Sequence, residues 1–132
     1  DMEERYRLIL STIFNAIGCR VEVEKMISTG RIDMVLETNN FIYVLELKLS
    51  NNGGIDAAAE QIKARQYAEP FKADKRKVIA IAIELDDSGK GLVDWKEVYW
   101  TFASFVPYAL NQRSPAEGKG KGQKPLAQGI AL

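Results

Sequence analysis

The chain has 132 residues, 46% of them apolar and 27% charged, with 18 basic and 18 acidic side chains and no histidine. That is one ordinary globular domain, long enough to bury a core. The missing histidine excludes Ser-His-Asp and Cys-His catalysis and His-ligated zinc, and the zero net charge lacks the global basic field of an autonomous nucleic-acid binder.

No apolar run is long enough to span a bilayer, and no signal-peptide pattern opens the chain. Cys19 is the single cysteine, so it has no internal disulfide partner and reads as structural. A reducing, cytoplasmic setting is expected. The chain begins at Asp1 rather than Met, as a piece of something larger would.

Residues 3–17 predict a helix. Tyr6, Ile9, Leu10, Ile13, Phe14 and Ile17 recur at spacings of three and four, a stripe expected to pack on a sheet. Gly18 ends it. Glu3 and Glu4 stand in the first turn, where the helix dipole favours acids. Residues 21–26 alternate and predict a strand, closed by the turn Ser28-Thr29-Gly30.

Residues 31–48 hold the centre of the pattern. Two β-branched, apolar runs flank Asn39-Asn40, and an Asn pair suits a two-residue hairpin turn. With that turn, facing residues have numbers summing to 79. Asp33 then lies opposite Glu46, with Cβ atoms about 5 Å apart. Alternation puts Val35, Val44 and Lys48 on their face. The other face, with Ile32, Met34, Leu36, Tyr43, Leu45 and Leu47, reads as a core face.

Facing like charges destabilise a sheet. A divalent cation resolves the conflict, because Mg²⁺ is held by one or two carboxylates plus waters and substrate phosphate. An Asp, a Glu and a Lys converging beside a metal outline a phosphodiester-hydrolysis site. The bland alternative is an exposed, salt-bridged sheet face.

Residues 50–54 form a loop, and residues 55–71 predict a second helix ending near Pro70. Gln61 either lies on the surface or reaches over the sheet toward the carboxylates. The spacing leaves both open. Lys72, Lys75, Arg76 and Lys77 make a basic patch, read as a solvated loop. Residues 78–85 suggest a strand buried on both faces. Residues 86–91 read as a hairpin turn. Their two aspartates lack the ligand spacing of a calcium cage. Residues 92–100 are a final edge strand or a helical start, and 101–110 stay undecided. From Asn111 the composition turns to Gly, Lys, Gln and Pro, which predicts a flexible tail over 111–132 after a domain spanning 1–110.

This order, with Gly30-Arg31-Ile32-Asp33, Tyr43-Val44-Leu45-Glu46-Leu47-Lys48, and Gln61-Ile62-Lys63 with Tyr67, resembles the PD-(D/E)XK nuclease superfamily over about residues 3–100. The nearest likeness is the branch carried C-terminal to an AAA-ATPase-like module. The resemblance implies an α/β, restriction-endonuclease-like core, a mixed sheet of four or five strands flanked by helices. It implies Mg²⁺ or Mn²⁺ held by Asp33, Glu46 and the Leu47 carbonyl, with Lys48 positioning or activating the attacking water and Gln61 orienting the site. A first-helix acid occurs in many members, and Glu4 is the match chosen here over Glu3. The usual proline before the Asp is absent, with Ile32 in its place.

The implied activity is hydrolysis of DNA, with RNA second, by in-line attack of a metal-bound water. The alternative is a catalytically silent module of the same fold that binds nucleic acid or protein for an attached ATPase.

Overall fold

The computed structural model describes residues 1–99. Helix α1 (Met2–Ala16) opens the chain, capped by Asp1, whose Oδ1 accepts the Glu4 N–H at 2.8 Å. Strands β1 (Arg20–Ile27), β2 (Gly30–Glu37) and β3 (Phe41–Leu49) follow as a meander. Helix α2 (Gly54–Arg65) then crosses to β4 (Lys77–Leu85), and a turn leads to β5 (Leu92–Val98). The sheet order is β1-β2-β3-β4-β5. β3 and β4 run parallel, joined by the α2 crossover, while the other neighbours are antiparallel. This is the mixed five-stranded α/β sheet expected of a restriction-endonuclease-like core. Asp1–Val98 form one unit. Residues 101–110 and the tail over 111–132 lie outside the described residues.

The hairpin register is the expected one. Met34 faces Leu45 and Val35 faces Val44, each pair summing to 79. The Thr38 N–H donates to the Phe41 carbonyl at 2.9 Å, closing the turn over Asn39-Asn40.

The faces differ from expectation, for the hairpin is buried on both. On one side Val35, Val44, Ala80 and Ala82 pack under Ala58, Ala59 and Ile62 of α2. On the other, Leu47 and Leu85 pack with Tyr6 of α1. A parallel pair at mid-sheet needs cover on both faces, and the two helices supply it. Ile32 joins the α2-side cluster with Val35, although strict alternation would put it opposite. The pleat is therefore broken between them, at Asp33.

Two helix expectations are corrected. The α1 stripe does not all reach the sheet: Tyr6 is buried, but Ile9, Ile13 and Ile17 are 53%, 50% and 69% exposed. The second helix stops at Arg65 rather than near Pro70. Gln66 takes a left-handed conformation, with φ 51°, and a separate short turn forms at Glu69–Phe71. Residues 92–98 are an edge strand, the first of the two readings given to that stretch.

The remaining charged segments have structural work. Arg76 bonds Asp74, Glu37 and the Thr38 carbonyl, which ties the β4 approach to the hairpin. Asp86 accepts the Ser88 and Lys90 N–H groups, and Asp87 accepts that of Asn51, so both aspartates are spent on the backbone.

Candidate active site

The site grows from the place where the ladders skip Asp33. The β2–β3 pairing ends at Met34–Leu45, and the β1–β2 pairing passes from Val23–Met34 to Lys25–Ile32. Asp33 is thus without a ladder partner on either side. Its side chain does the bonding instead: Oδ2 accepts the Leu47 N–H at 2.9 Å. Opposite it in β1, Glu24 has φ 54°, a conformation uncommon for a residue with a Cβ and one that costs backbone energy.

Asp33 and Glu46 are 4% and 1% exposed, and carboxylates are almost never so buried without partners. Gln61 and Tyr67 supply those of Glu46. The Gln61 amide donates to Glu46 Oε2 at 2.7 Å and to the Tyr67 oxygen at 3.0 Å. The Tyr67 hydroxyl lies 2.8 Å from both Glu46 Oε1 and the Arg31 carbonyl. α2 thus aims Gln61 down onto β3, and Tyr67, two residues past its end, fastens Glu46 to β2.

Electrostatics single out Glu46. Burial pushes its carboxyl up to about 8, Asp33's charge adds to the rise, and the Tyr67 hydrogen bond and the charge of Lys48 oppose it. The hydrogen count agrees. Tyr67 has one hydroxyl hydrogen, and the Arg31 carbonyl can only accept. With Glu46 protonated, Glu46 donates to the Tyr67 oxygen, Tyr67 donates to Arg31, and every member is satisfied. With Glu46 ionised, one hydrogen faces two acceptors.

Lys48 follows Glu46 by two residues on β3 and is partly buried. Among the described residues its side chain makes no hydrogen bond or ion pair. Its register partner across the parallel pair is Glu84, whose carboxylate is spent on the Ile55 N–H at the start of α2 and on Ser50.

The first-helix acids separate. Glu4 is exposed and lines a surface groove that also takes in Arg7 and Glu24, but it makes no ion pair with them. Glu3 is the acid linked to Asp33, through Arg7: Arg7 Nη1 is 3.5 Å from Glu3 Oε1 and 3.8 Å from Asp33 Oδ1. Among the described residues no three His, Cys, Asp or Glu side chains form a ready-made metal cage. Sequence reasoning missed Arg7 and Glu24. The four-residue step from Glu3 to Arg7 was a readable signal. It had none for Glu24, which reads as one acid of an alternating strand.

The chain belongs to the PD-(D/E)XK nuclease superfamily, whose family model matches residues 1–95. It is 28% identical over 91 residues to the "Uncharacterized protein in vnfD 5'region" of Azotobacter chroococcum mcd 1. That match takes in 69% of this chain but only 18% of the relative's length. No solved structure matches the chain significantly. Among the described residues no helix is long and apolar enough to cross a membrane.

Proposed function

We propose that the domain is a divalent-metal-dependent nuclease that hydrolyses phosphodiester bonds, with DNA as substrate. The observation that carries the reading is the buried Asp33–Glu46 pair. A carboxyl pushed up to about 8 beside a second buried carboxylate is a place short of positive charge. An all-oxygen donor set is what Mg²⁺ and Mn²⁺ prefer, so the residues fit such an ion. Asp33, Glu46 and the Leu47 carbonyl would hold it. When bound, it supplies Lewis acidity at the phosphate and a nucleophile at neutral pH.

The chain's own groups do the rest. Gln61 and Tyr67 fix the Glu46 carboxyl on both oxygens, so it cannot swing away as charge builds. The Leu47 N–H fixes Asp33. Lys48, whose side chain makes no hydrogen bond or ion pair among the described residues, is the group able to position or activate the attacking water and to meet the phosphate. Glu4 keeps its place as a proposed further ligand only if its exposed side chain turns inward. Glu3 stands nearer through Arg7.

The test is Mn²⁺-dependent nicking of supercoiled plasmid and of branched DNA, comparing wild type with Asp33→Ala. Cleavage by wild type and none by Asp33→Ala supports the reading. Equal cleavage by both points to a contaminant and sinks it. The second reading, a silent module serving an attached AAA-ATPase-like partner in a cytoplasmic protein, is favoured by two observations. The net charge is zero, and the matched relative is far longer than this chain. Metal binding without cleavage in any DNA form would select it.

A further inference from the structure

Arg7 is 8% exposed, and a buried arginine calls for partners. It faces three acids. Nη1 lies 3.5 Å from Glu3 Oε1 and 3.8 Å from Asp33 Oδ1, and Nη2 lies 3.4 Å from Glu24 Oε2. All three exceed the roughly 2.7–2.9 Å of a charge-assisted hydrogen bond. The guanidinium is therefore shared among the acids and locked to none. Glu24 reaches this position through its left-handed backbone, and Arg31 Nη1 holds its other oxygen at 3.2 Å. Glu3 and Glu24 keep more contact with water than Asp33, with side chains 23% and 44% exposed against 5%. Among the described residues Arg7 is the cation paired with Asp33.

The oxygen it faces matters. Oδ2 of Asp33 already accepts the Leu47 N–H, which leaves Oδ1 the freer ligand atom. Arg7 and an incoming divalent cation would address the same oxygen, and two cations close to one buried carboxylate repel strongly.

We propose that Arg7 is the resident counter-ion of this site, a positioning residue that neutralises Asp33 before metal arrives and withdraws onto Glu3 and Glu24 when a divalent cation takes Asp33. Arg7 then sets the metal concentration at which the site loads. The inference rests on the metal-site reading above.

The experiment is calorimetric titration of Mn²⁺ into the 132-residue chain at fixed pH and ionic strength, with metal-free melting as the check on folding. Arg7→Gln removes the competing charge and should tighten Mn²⁺ binding, on the order of tenfold, an ordinary coupling between two ligands at one site. Arg7→Lys keeps the charge and should bind close to wild type, a rescue that a purely structural arginine would not predict. Glu24→Gln strips Arg7 of one refuge and should weaken binding several-fold.

If Arg7→Gln binds Mn²⁺ no tighter than wild type, the proposal is overturned while the metal reading stands. If Arg7→Gln does not fold, Glu24→Gln decides, and unchanged or tighter binding overturns the proposal. If wild type binds no Mn²⁺, the metal reading falls and takes this inference with it.

Discussion

The Tyr67 hydroxyl sits 2.8 Å from Glu46 Oε1, and Tyr67 itself is fully buried just beyond the end of α2. The same hydroxyl reaches the Arg31 carbonyl on β2. One side chain thus binds the metal-candidate strand β3 to its neighbour at the level where the ladder between them has stopped.

Tyr67→Phe should therefore cost stability without emptying the core. The ring stays and only the hydroxyl goes. The Arg31 carbonyl and the buried Glu46 each lose a partner, and an unsatisfied buried polar group such as Glu46 costs about 1–3 kcal/mol. Urea unfolding should show a lower midpoint with an unchanged slope. An unchanged midpoint would mean that water replaces the hydroxyl, and that Tyr67 does not fasten Glu46.

Glu46 gives the metal-free protein an unusual pH dependence. Its carboxyl is raised to about 8 in the folded state against 4.5 for the free group. Between those values the folded state holds a proton that the unfolded state has released. Stability conferred by this group is therefore present at low pH and lost as pH rises from about 4.5 to about 8, by at most about 1.4 kcal/mol per unit. Gln mimics the protonated acid and can still donate to the Tyr67 oxygen. Glu46→Gln should flatten that decline and be the more stable protein near pH 8. Parallel wild-type and mutant curves of unfolding energy against pH would refute the assignment.

Much of this arrangement was legible in the sequence, for a local reason. Asn39-Asn40 fixes the turn and the turn fixes the register, which holds as far as Met34–Leu45 and stops one pair short of Asp33 and Glu46. That Asp33 breaks from the ladder there was not legible. The cover of the hairpin was not legible. Ile9, Ile13 and Ile17 have a buried helix's spacing, yet in the described fold they face outward, while α2 with its small alanines covers the face that carries Val35 and Val44. Spacing reports amphipathicity, and which side meets the sheet is a tertiary matter. Gln66 ends α2 without the Gly that usually marks a left-handed cap, so nothing in 55–71 announced the break. Like-charge repulsion was readable too, but not which acid yields. The Leu47 N–H and Arg7 lie beside Asp33, and burial raises Glu46.

Metal binding should release protons. A cation needs both carboxylates ionised, and near neutral pH Glu46 holds its proton in the metal-free protein. Titrating Mn²⁺ in buffers of different ionisation enthalpy should return about one proton released per ion near pH 7. Apparent affinity should rise with pH, by up to about tenfold per unit, and level off above about pH 8. The same ion should raise the melting temperature, because a ligand of the native state stabilises it by about 2.7 kcal/mol at a hundredfold excess over Kd. Asp33→Ala should abolish the heat and the melting shift together. A melting curve indifferent to millimolar Mg²⁺ and Mn²⁺ would remove the metal from the site.

Lys48→Ala separates catalysis from binding. Lys48 stands two residues beyond Glu46 on β3, and its charge acts on that carboxyl in the sense that favours the ionised form. The substitution leaves Asp33, Glu46, Gln61 and Tyr67 in place, so the fold and the donor set for the ion should survive. Two small effects on affinity oppose each other. Losing a neighbouring cation favours the incoming ion, while losing the charge that helps ionise Glu46 disfavours it. Mn²⁺ affinity should thus stay within a few-fold of wild type. Cleavage is another matter. A group that positions or deprotonates the nucleophile acts on the transition state, and its loss typically costs on the order of 10²–10⁴ in rate. Single-turnover nicking beside Mn²⁺ calorimetry on one preparation reads both quantities. Retained binding with cleavage reduced to that degree places Lys48 in the chemistry. Cleavage at the wild-type rate makes Lys48 a bystander, and joint loss of binding and cleavage makes it a support for the carboxylates instead.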